Sequence, residues 1–455
     1  MIGGNTMTKD SISLSARDRL AHLFDGGEFT ELDAYAKVRD NLSGVITAYG
    51  YVDSNPVYAF AQDISVNDGA LTKVQSDKIS KIYDMAAKTG LPVVGVYDSF
   101  GADLNDGISA MTSYGELILK ASNLSGVVPQ ISIIAGTCAG ASAILAVSAD
   151  FVIMSKNAEL FITPNTEVKD LAQNSADNGT ASLIAEDDSD AIEKAKQILL
   201  KLPQNNLSPV PMFEFDEPDS AFLDNAEGIA NAVCDAESVI ELSKDFGKAS
   251  YTALASIGGA TVGICATNKT DDKLTSCDCS KLARFVRTCD AYAIPIITFV
   301  DTEGFDNSEC ANKSGAVLQM SKLASAYAEA TTIKISVVTG KAYGPAFITL
   351  AGKGSNADLV FAASNAVISA LEPLAAVEFL SHDKLKGTDD LTKSREALVK
   401  EYIENEASAK VAAEKMCVDG VVANGEIRQT LINAIEIMAG KRVSRLPKKH
   451  SNSPF

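Results

Sequence analysis

Short runs of β-branched and apolar residues alternate along this chain with longer segments whose apolar positions recur at helical spacing. "NPVYAFAQDI" precedes "VQSDKISKIYDMAAKTG", and "ATVGICAT" precedes "CSKLARFVRTCDAYA". The short runs read as buried strands and the long ones as amphipathic helices. Their alternation predicts an α/β fold with ligands at the strand ends, where glycines collect. Residues 337–350, "VVTGKAYGPAFITL", show the arrangement well: an apolar run stops at Gly340, passes through small residues and restarts as a helix. A further helix is predicted from Ala191 to Leu202, capped by Ser189.

The pattern is written twice. "KTGLPVVGVYDSFGADLNDG" aligns with "AYAIPIITFVDTEGFDNSE", placing Pro92 on Pro295, Asp98 on Asp301 and Gly101 on Gly304 at one constant offset. "VPQISIIAGTCAGASAILAVSAD" aligns with "TTIKISVVTGKAYGPAFITLAGKGSNAD", placing Gly136 on Gly340 and Gly140 on Gly344. So many landmarks in one register indicate duplication of a whole domain rather than a solenoid repeat. The Pro-, Asn- and Asp-rich stretch "LPQNNLSPVPMFEFDEPDS" (202–220) reads as the linker, with the boundary near 218–235, giving domains 1–225 and 226–455.

Composition narrows the field. The 455 residues are 46% hydrophobic and 22% charged, a globular balance. A formal net charge of −19 argues against nucleic acid as a partner. The longest apolar runs, such as "AIPIITFV" (293–300), fall short of a membrane span, and no secretory signal opens the chain. A cytoplasmic protein, or one peripheral to a membrane complex, is expected. Cys277, Cys279, Cys289 and Cys310 match no zinc-ligand spacing, and only His22, His382 and His450 are present, so no metal is expected.

The paired turns lack a nucleophile–base set. "GTCAGAS" holds Cys138 and Ser142, but no histidine stands nearby in sequence. The carboxylates of "GADLNDG" and "GGEFTELD" read as solvated loop and cap residues. What remains is backbone. A strand ending at Ile134 or Val338, then glycine and a helix start, aims adjacent N–H groups at one point, where an oxyanion or enolate is held. The alternative is that the glycines only permit close helix–strand packing. Pro345 complicates the second turn, because proline has no N–H.

"KLARFVRTCDAYAIPIITFVDTEGF", the closing "LPKKHSNSPF", "LPQNN" and "AQDISVNDGAL" together resemble the biotin-dependent acyl-CoA carboxyltransferase family, from about Arg17 to Phe455. This family includes propionyl-CoA and acetyl-CoA carboxylase β subunits and the carboxyltransferase subunits of methylmalonyl-CoA and glutaconyl-CoA decarboxylases. The resemblance implies two tandem crotonase-like domains, each a spiral of ββα units, assembled as a hexamer of three dimers. Coenzyme A thioester would bind the N-domain and biotin the C-domain, with the active site between domains of different subunits. It implies that the Gly140 and Ala141 N–H groups hold the thioester oxygen, and that Gly344, Pro345 and Ala346 form the turn for the biotin ureido oxygen. Gly69, Ala70, Gly101 and Gly136 would line the acyl-CoA side. Gly304, Phe305, Gly340 and Tyr343 would line the biotin side, and Phe347 and Ile348 would shape acyl or biotin contacts. Carboxybiotin would release CO2, and the thioester enolate would capture it, or the reverse in a decarboxylase.

The chain departs from that pattern in several places. "NDGALTK" replaces a glycine-rich loop, "GADLNDG" lacks the usual arginine, the loop after Phe305 is short, and Pro345 replaces a glycine. No Ala-Met-Lys-Met biotinylation motif is present, since "EKMC" (414–417) is not one. Biotin is therefore expected on a separate carrier protein, with a biotin carboxylase or a membrane decarboxylase subunit as further partner. The basic "KRVSRLPKKH" (441–450) reads either as a phosphate- or partner-facing tail or as a solvated end. Propionyl- or methylmalonyl-CoA is the expected substrate by family habit. A scaffold or regulatory subunit that has lost turnover is the alternative, and a crotonase-type isomerase or hydratase is a weaker one. The direction, carboxylase or decarboxylase, stays open.

Overall fold

A computed structural model describes residues 14–165, 168, 170–219, 221–222, 225–268, 273–354, 356–386, 390–443, 447–450 and 452. The chain divides into two compact units, Met1–Ser208 and Pro209–Phe455. The division falls before the expected boundary because the end of the linker stretch is tied to the second unit. Met212 bridges to Ala260, and the Phe213 N–H donates to Gly259 O at 2.9 Å. Asn225 then caps the helix Ala226–Val233, whose Ile229 and Val233 enter the second core. Residues 220, 223 and 224, within the expected linker, lie outside the described residues.

The first unit is built on one sheet. Its strands run in spatial order Phe29–Leu32, Val45–Val52, Asn55–Gln62, Val93–Ser99, Gln130–Ala139, Phe151–Ser155 and Leu183–Ala185. The first three pair antiparallel as a meander, and each later neighbour pairs parallel. Glu159–Phe161 pairs off this path with the far end of Gln130–Ala139. Helices Lys73–Thr89 and Ile108–Leu124 supply the long crossovers that parallel pairing requires. Phe60, Ile79, Ile82, Leu117 and Ile134 are fully buried between sheet and helices, each contributing roughly 1.5–3 kcal/mol by burial.

The second unit repeats this order with Ile240–Leu242, Ser250–Ile257, Ala260–Thr267, Ile296–Thr302, Lys334–Tyr343, Leu359–Ala363 and Gly420–Val422. Val367–Ser369 stands where Glu159–Phe161 stood. Local devices repeat too. Thr72 and Thr275 each close a capping box at the start of a long helix, with Gln75 and Asp278 as reciprocal partners. Lys78 and Lys281 each bury an ammonium against strand carbonyls, Val45 O and Ser250 O, at 2.6 and 2.8 Å.

The helix expected at 191–202 runs from Asp188 to Lys201. Asp187, not Ser189, is its cap: the Asp187 carboxylate accepts the Asp190 N–H at 3.0 Å. Among the described residues no helix is long and apolar enough to cross a membrane.

Candidate active site

The strand Gln130–Ala139 runs into Gly140, and the helix Ala141–Val147 starts at once. Gly140 takes φ 61° and ψ −130°; Gly344, between Lys334–Tyr343 and Pro345–Ala351, takes φ 51° and ψ −125°. This mirror image of the extended conformation is open to glycine alone. At Gly344 a Cβ would also stand 2.9 Å from Ala370 O. The two turns therefore have one geometry in two places.

Not every N–H at these turns is free. Gly140 donates to Phe161 O at 3.0 Å, and Gly344 donates to Ser369 O at 2.9 Å. Both continue the strand ladder, so the expectation that Gly140 supplies a donor is corrected. Helices leave their first N–H groups without an internal acceptor. In the first unit those are Ala141 and Ser142, and among the described residues neither N–H has an acceptor. In the second unit Pro345 has no N–H, leaving Ala346 as the matching donor. Ser142 was missed as a donor, although aligning Gly140 with Gly344 puts it opposite Ala346.

The remaining expected residues lie on loops and strand ends of their own units. Gly69 and Ala70 spend their N–H groups locally, on Val66 O at 3.1 Å and Asn67 O at 2.9 Å. They offer shape rather than donors; a Cβ on Gly69 would meet Asp98 O at 2.1 Å. Gly101 and Gly304 each accept an N–H, from Leu71 and Leu274, at 2.8 and 3.0 Å. Phe305 bridges to Leu274 and is half-buried. Gly136 and Gly340 lie against carboxylates: a Cβ at either would stand 2.3 Å from Asp98 Oδ1 or Asp301 Cγ.

In the second turn Tyr343 is buried, and burial pushes its phenol pKa upward against the pull of Lys341. Pro345 and Ile348 face outward, with Phe347 half-buried. Lys341 pairs with Glu303 at 2.6 Å beside them.

Cys138 is no nucleophile here. It is fully buried, its Sγ donates to Ser142 Oγ at 3.6 Å, and burial pushes the thiol to about 12. Asp103 overturns the reading of its loop as solvated. It is 2% exposed and accepts from Asn67 Nδ2 at 2.8 Å and the Asn105 N–H at 2.7 Å. Burial pushes its carboxyl upward, but those bonds and Arg39, 3.6 Å away, win and hold it below its ordinary value. Arg39 thus stands at the loop that carries no arginine of its own.

Sequence reasoning also missed Arg19. Its buried guanidinium bridges Asp98 Oδ2 at 2.9 Å and Asp188 Oδ2 at 2.8 Å, and Asp188 also accepts from Ser155. Sequence separation hid this partnership. Part of the basic tail is held down: Lys441 pairs with Asp358 at 2.7 Å and Lys448 with Glu329 at 3.0 Å. Residues 444–446 lie outside the described residues. Among those described, no three His, Cys, Asp or Glu side chains group as metal ligands.

A duplicated α/β unit with a glycine-started donor helix at the end of a central strand defines tandem crotonase-like domains. The carboxyl transferase domain family matches residues 10–453, and the chain belongs to it. It is 33% identical to methylmalonyl-CoA decarboxylase subunit alpha of Propionigenium modestum, over 97% of this chain and 93% of that one. It is 32% identical to the propionyl-CoA carboxylase carboxyltransferase subunit of Haloferax mediterranei, over 98% and 94%. The transcarboxylase 12S crystal structure, a hexamer with hydrolysed methylmalonyl-coenzyme A bound, superposes with a TM-score of 0.91. That match has 31% identity and covers 97% of this chain and 93% of that one.

Proposed function

We propose that this chain is the carboxyltransferase subunit of a biotin-dependent acyl-CoA carboxylase or decarboxylase. It moves a carboxyl group between biotin on a separate carrier protein and a short-chain acyl-CoA, with propionyl- or methylmalonyl-CoA favoured by the relatives. The observation that carries this reading is the donor turn built twice, once per unit, on one backbone geometry.

The first turn serves the thioester. Removing a proton from the α-carbon of an acyl-CoA moves negative charge onto the thioester oxygen. Two fixed N–H groups, Ala141 and Ser142, stabilise that enolate because their dipoles need no reorganisation. Each such donor lowers the barrier by about 3–4 kcal/mol. The enolate carbon then forms the new bond to CO2; in the opposite direction, decarboxylation generates the same enolate.

The second turn suits the ureido oxygen of biotin, an acceptor that one N–H from Ala346 can engage. When bound, biotin supplies the carboxyl group and the nitrogen that takes the α-proton. With Cys138 buried and protonated, the chain's own contribution is position and dipoles.

The first unit would face the acyl-CoA and the second the biotin. The partners of this reading are a biotin carboxyl carrier protein and a biotin carboxylase or membrane decarboxylase subunit. A homo-hexamer like transcarboxylase 12S is the assembly proposed. Purified protein mixed with a biotinylated carrier and methylmalonyl-CoA should yield propionyl-CoA and carboxylated carrier. Folded protein that transfers from neither methylmalonyl-CoA nor malonyl-CoA would overturn the proposal. Pro345 favours a second reading, a subunit that binds acyl-CoA without turnover. Tight acyl-CoA binding with no transfer by the assembled complex would select it.

A further inference from the structure

Each donor strand carries the same irregularity just before its turn. Val93–Ser99 pairs with Gln130–Ala139 in register up to Tyr97↔Ile134, and the pairing resumes at Ser99↔Cys138. One residue, Asp98, therefore faces the bulged segment Ala135–Thr137. In the second unit the register breaks between Val300↔Val338 and Thr302↔Ala342, so Asp301 faces Thr339–Lys341. Beyond each bulge the strand changes partners. Thr137–Ala139 joins Glu159–Phe161, and Lys341–Tyr343 joins Val367–Ser369. The next residue is Gly140 or Gly344. Bulges bend a strand and re-aim the chain beyond them, and at both places that chain enters the donor helix.

A bulge leaves an N–H without its ladder acceptor. In both units the residue facing the bulge supplies one from its side chain. Asp98 Oδ1 accepts the Thr137 N–H at 3.2 Å, and Asp301 Oδ1 accepts the Lys341 N–H at 2.8 Å. The glycine at the centre of each bulge makes room, since a Cβ on Gly136 or Gly340 would overlap the carboxylate at 2.3 Å. Each Asp is braced from behind. Arg19 holds Asp98 at 2.9 Å, while Thr267 Oγ1 accepts the Asp301 N–H at 2.7 Å and donates to its carbonyl at 2.9 Å.

We propose that Asp98 and Asp301 are positioning residues: each carboxylate clamps the bulge that aims its donor turn, one clamp per partner of the transfer. The part that concerns rate rests on the carboxyltransferase reading; the clamp itself does not. Near the reacting atoms a displacement of about 1 Å can cost on the order of 100-fold in rate.

The test compares D301A, D301N and G340A with wild type in the full-length protein. The first readout is amide hydrogen exchange over residues 334–343, which needs no turnover. D301A should deprotect this segment, D301N should largely preserve it because the carboxamide oxygen accepts the same N–H, and G340A should deprotect it by displacing the carboxylate. The second readout is carboxyl transfer from methylmalonyl-CoA to the biotinylated carrier. D301A should lower kcat about 10- to 100-fold with KM for methylmalonyl-CoA unchanged, and D301N should recover most of it. Unchanged exchange in both D301A and G340A overturns the clamp. Deprotection with wild-type kcat overturns its role in aiming the turn. If wild type transfers nothing, the carboxyltransferase reading fails, and the exchange comparison alone decides the clamp.

Discussion

Pro345 occupies in the second unit the place that Ala141 occupies in the first. Each is the first residue of a helix begun by a glycine at φ 51° or 61°. Proline suits that position, since its φ is preset and its missing N–H costs the helix nothing. It also takes away one donor that Ala141 supplies. Replacing Pro345 with Ala should raise kcat of carboxyl transfer by about 10-fold or more, within the 3–4 kcal/mol that one donor can contribute. KM for acyl-CoA should not move. An unchanged rate would mean that another group already fills the second donor's place.

Gly140→Ala and Gly344→Ala should both abolish most transfer, because a Cβ is strained at this φ by about 1–3 kcal/mol. The two should differ in stability. At Gly140 the nearest atom to a new Cβ is 3.9 Å away, while at Gly344 Ala370 O is 2.9 Å away. Urea midpoints should therefore rank G344A below G140A, and the reverse order would contradict the clearance.

Lys281 makes stability depend on pH. Burial is the main cause that lowers its pKa from 10.5 to about 8, whereas the unfolded chain keeps that proton to about 10.4. Between these values the unfolded state binds more protons, so this residue's contribution to stability rises with pH through the window and is flat below it. The span is on the order of 3 kcal/mol. Lys281→Met removes the titration. The stability difference, wild type minus variant, should climb from pH 8 to 10 in denaturant titrations; a flat difference would refute the shift.

Cysteine labelling tests the reading that Cys138 is not a nucleophile. Cys310 and Cys277 are exposed, whereas Cys138 is buried with its thiol pushed to about 12. Iodoacetamide at pH 8 should modify Cys310 and Cys277 in the native protein and reach Cys138 only after unfolding. Cys138→Ser should keep transfer within a few-fold. Native labelling of Cys138 would reopen it as a nucleophile.

Much of the architecture was legible along the chain. The Asp-x-x-Gly motifs and glycine turns align by simple offset, and they imply a duplicated α/β domain because strand and helix periods are local properties of sequence. The helix cap illustrates the margin: Ser189 and Asp187 are both good caps, and the choice turned on which oxygen reaches the Asp190 N–H. Asp103 shows the opposite case. Its loop reads as polar and solvated, yet Asn67, from a distant turn, closes over it.

By itself the sequence determined the duplication, the strand–glycine–helix order at Gly140 and Gly344, and the lost donor at Pro345. Only the tertiary structure decided which N–H groups remain free. The Gly140 N–H is taken by Phe161 because Glu159–Phe161 adds to the strand end, and Gly344 is taken by Ser369 in the same way. Likewise Asp98 found Thr137 and Arg19, and Asp301 found Lys341. These outcomes depend on partners far apart in the chain, and backbone hydrogen bonding is settled only when strands are laid side by side.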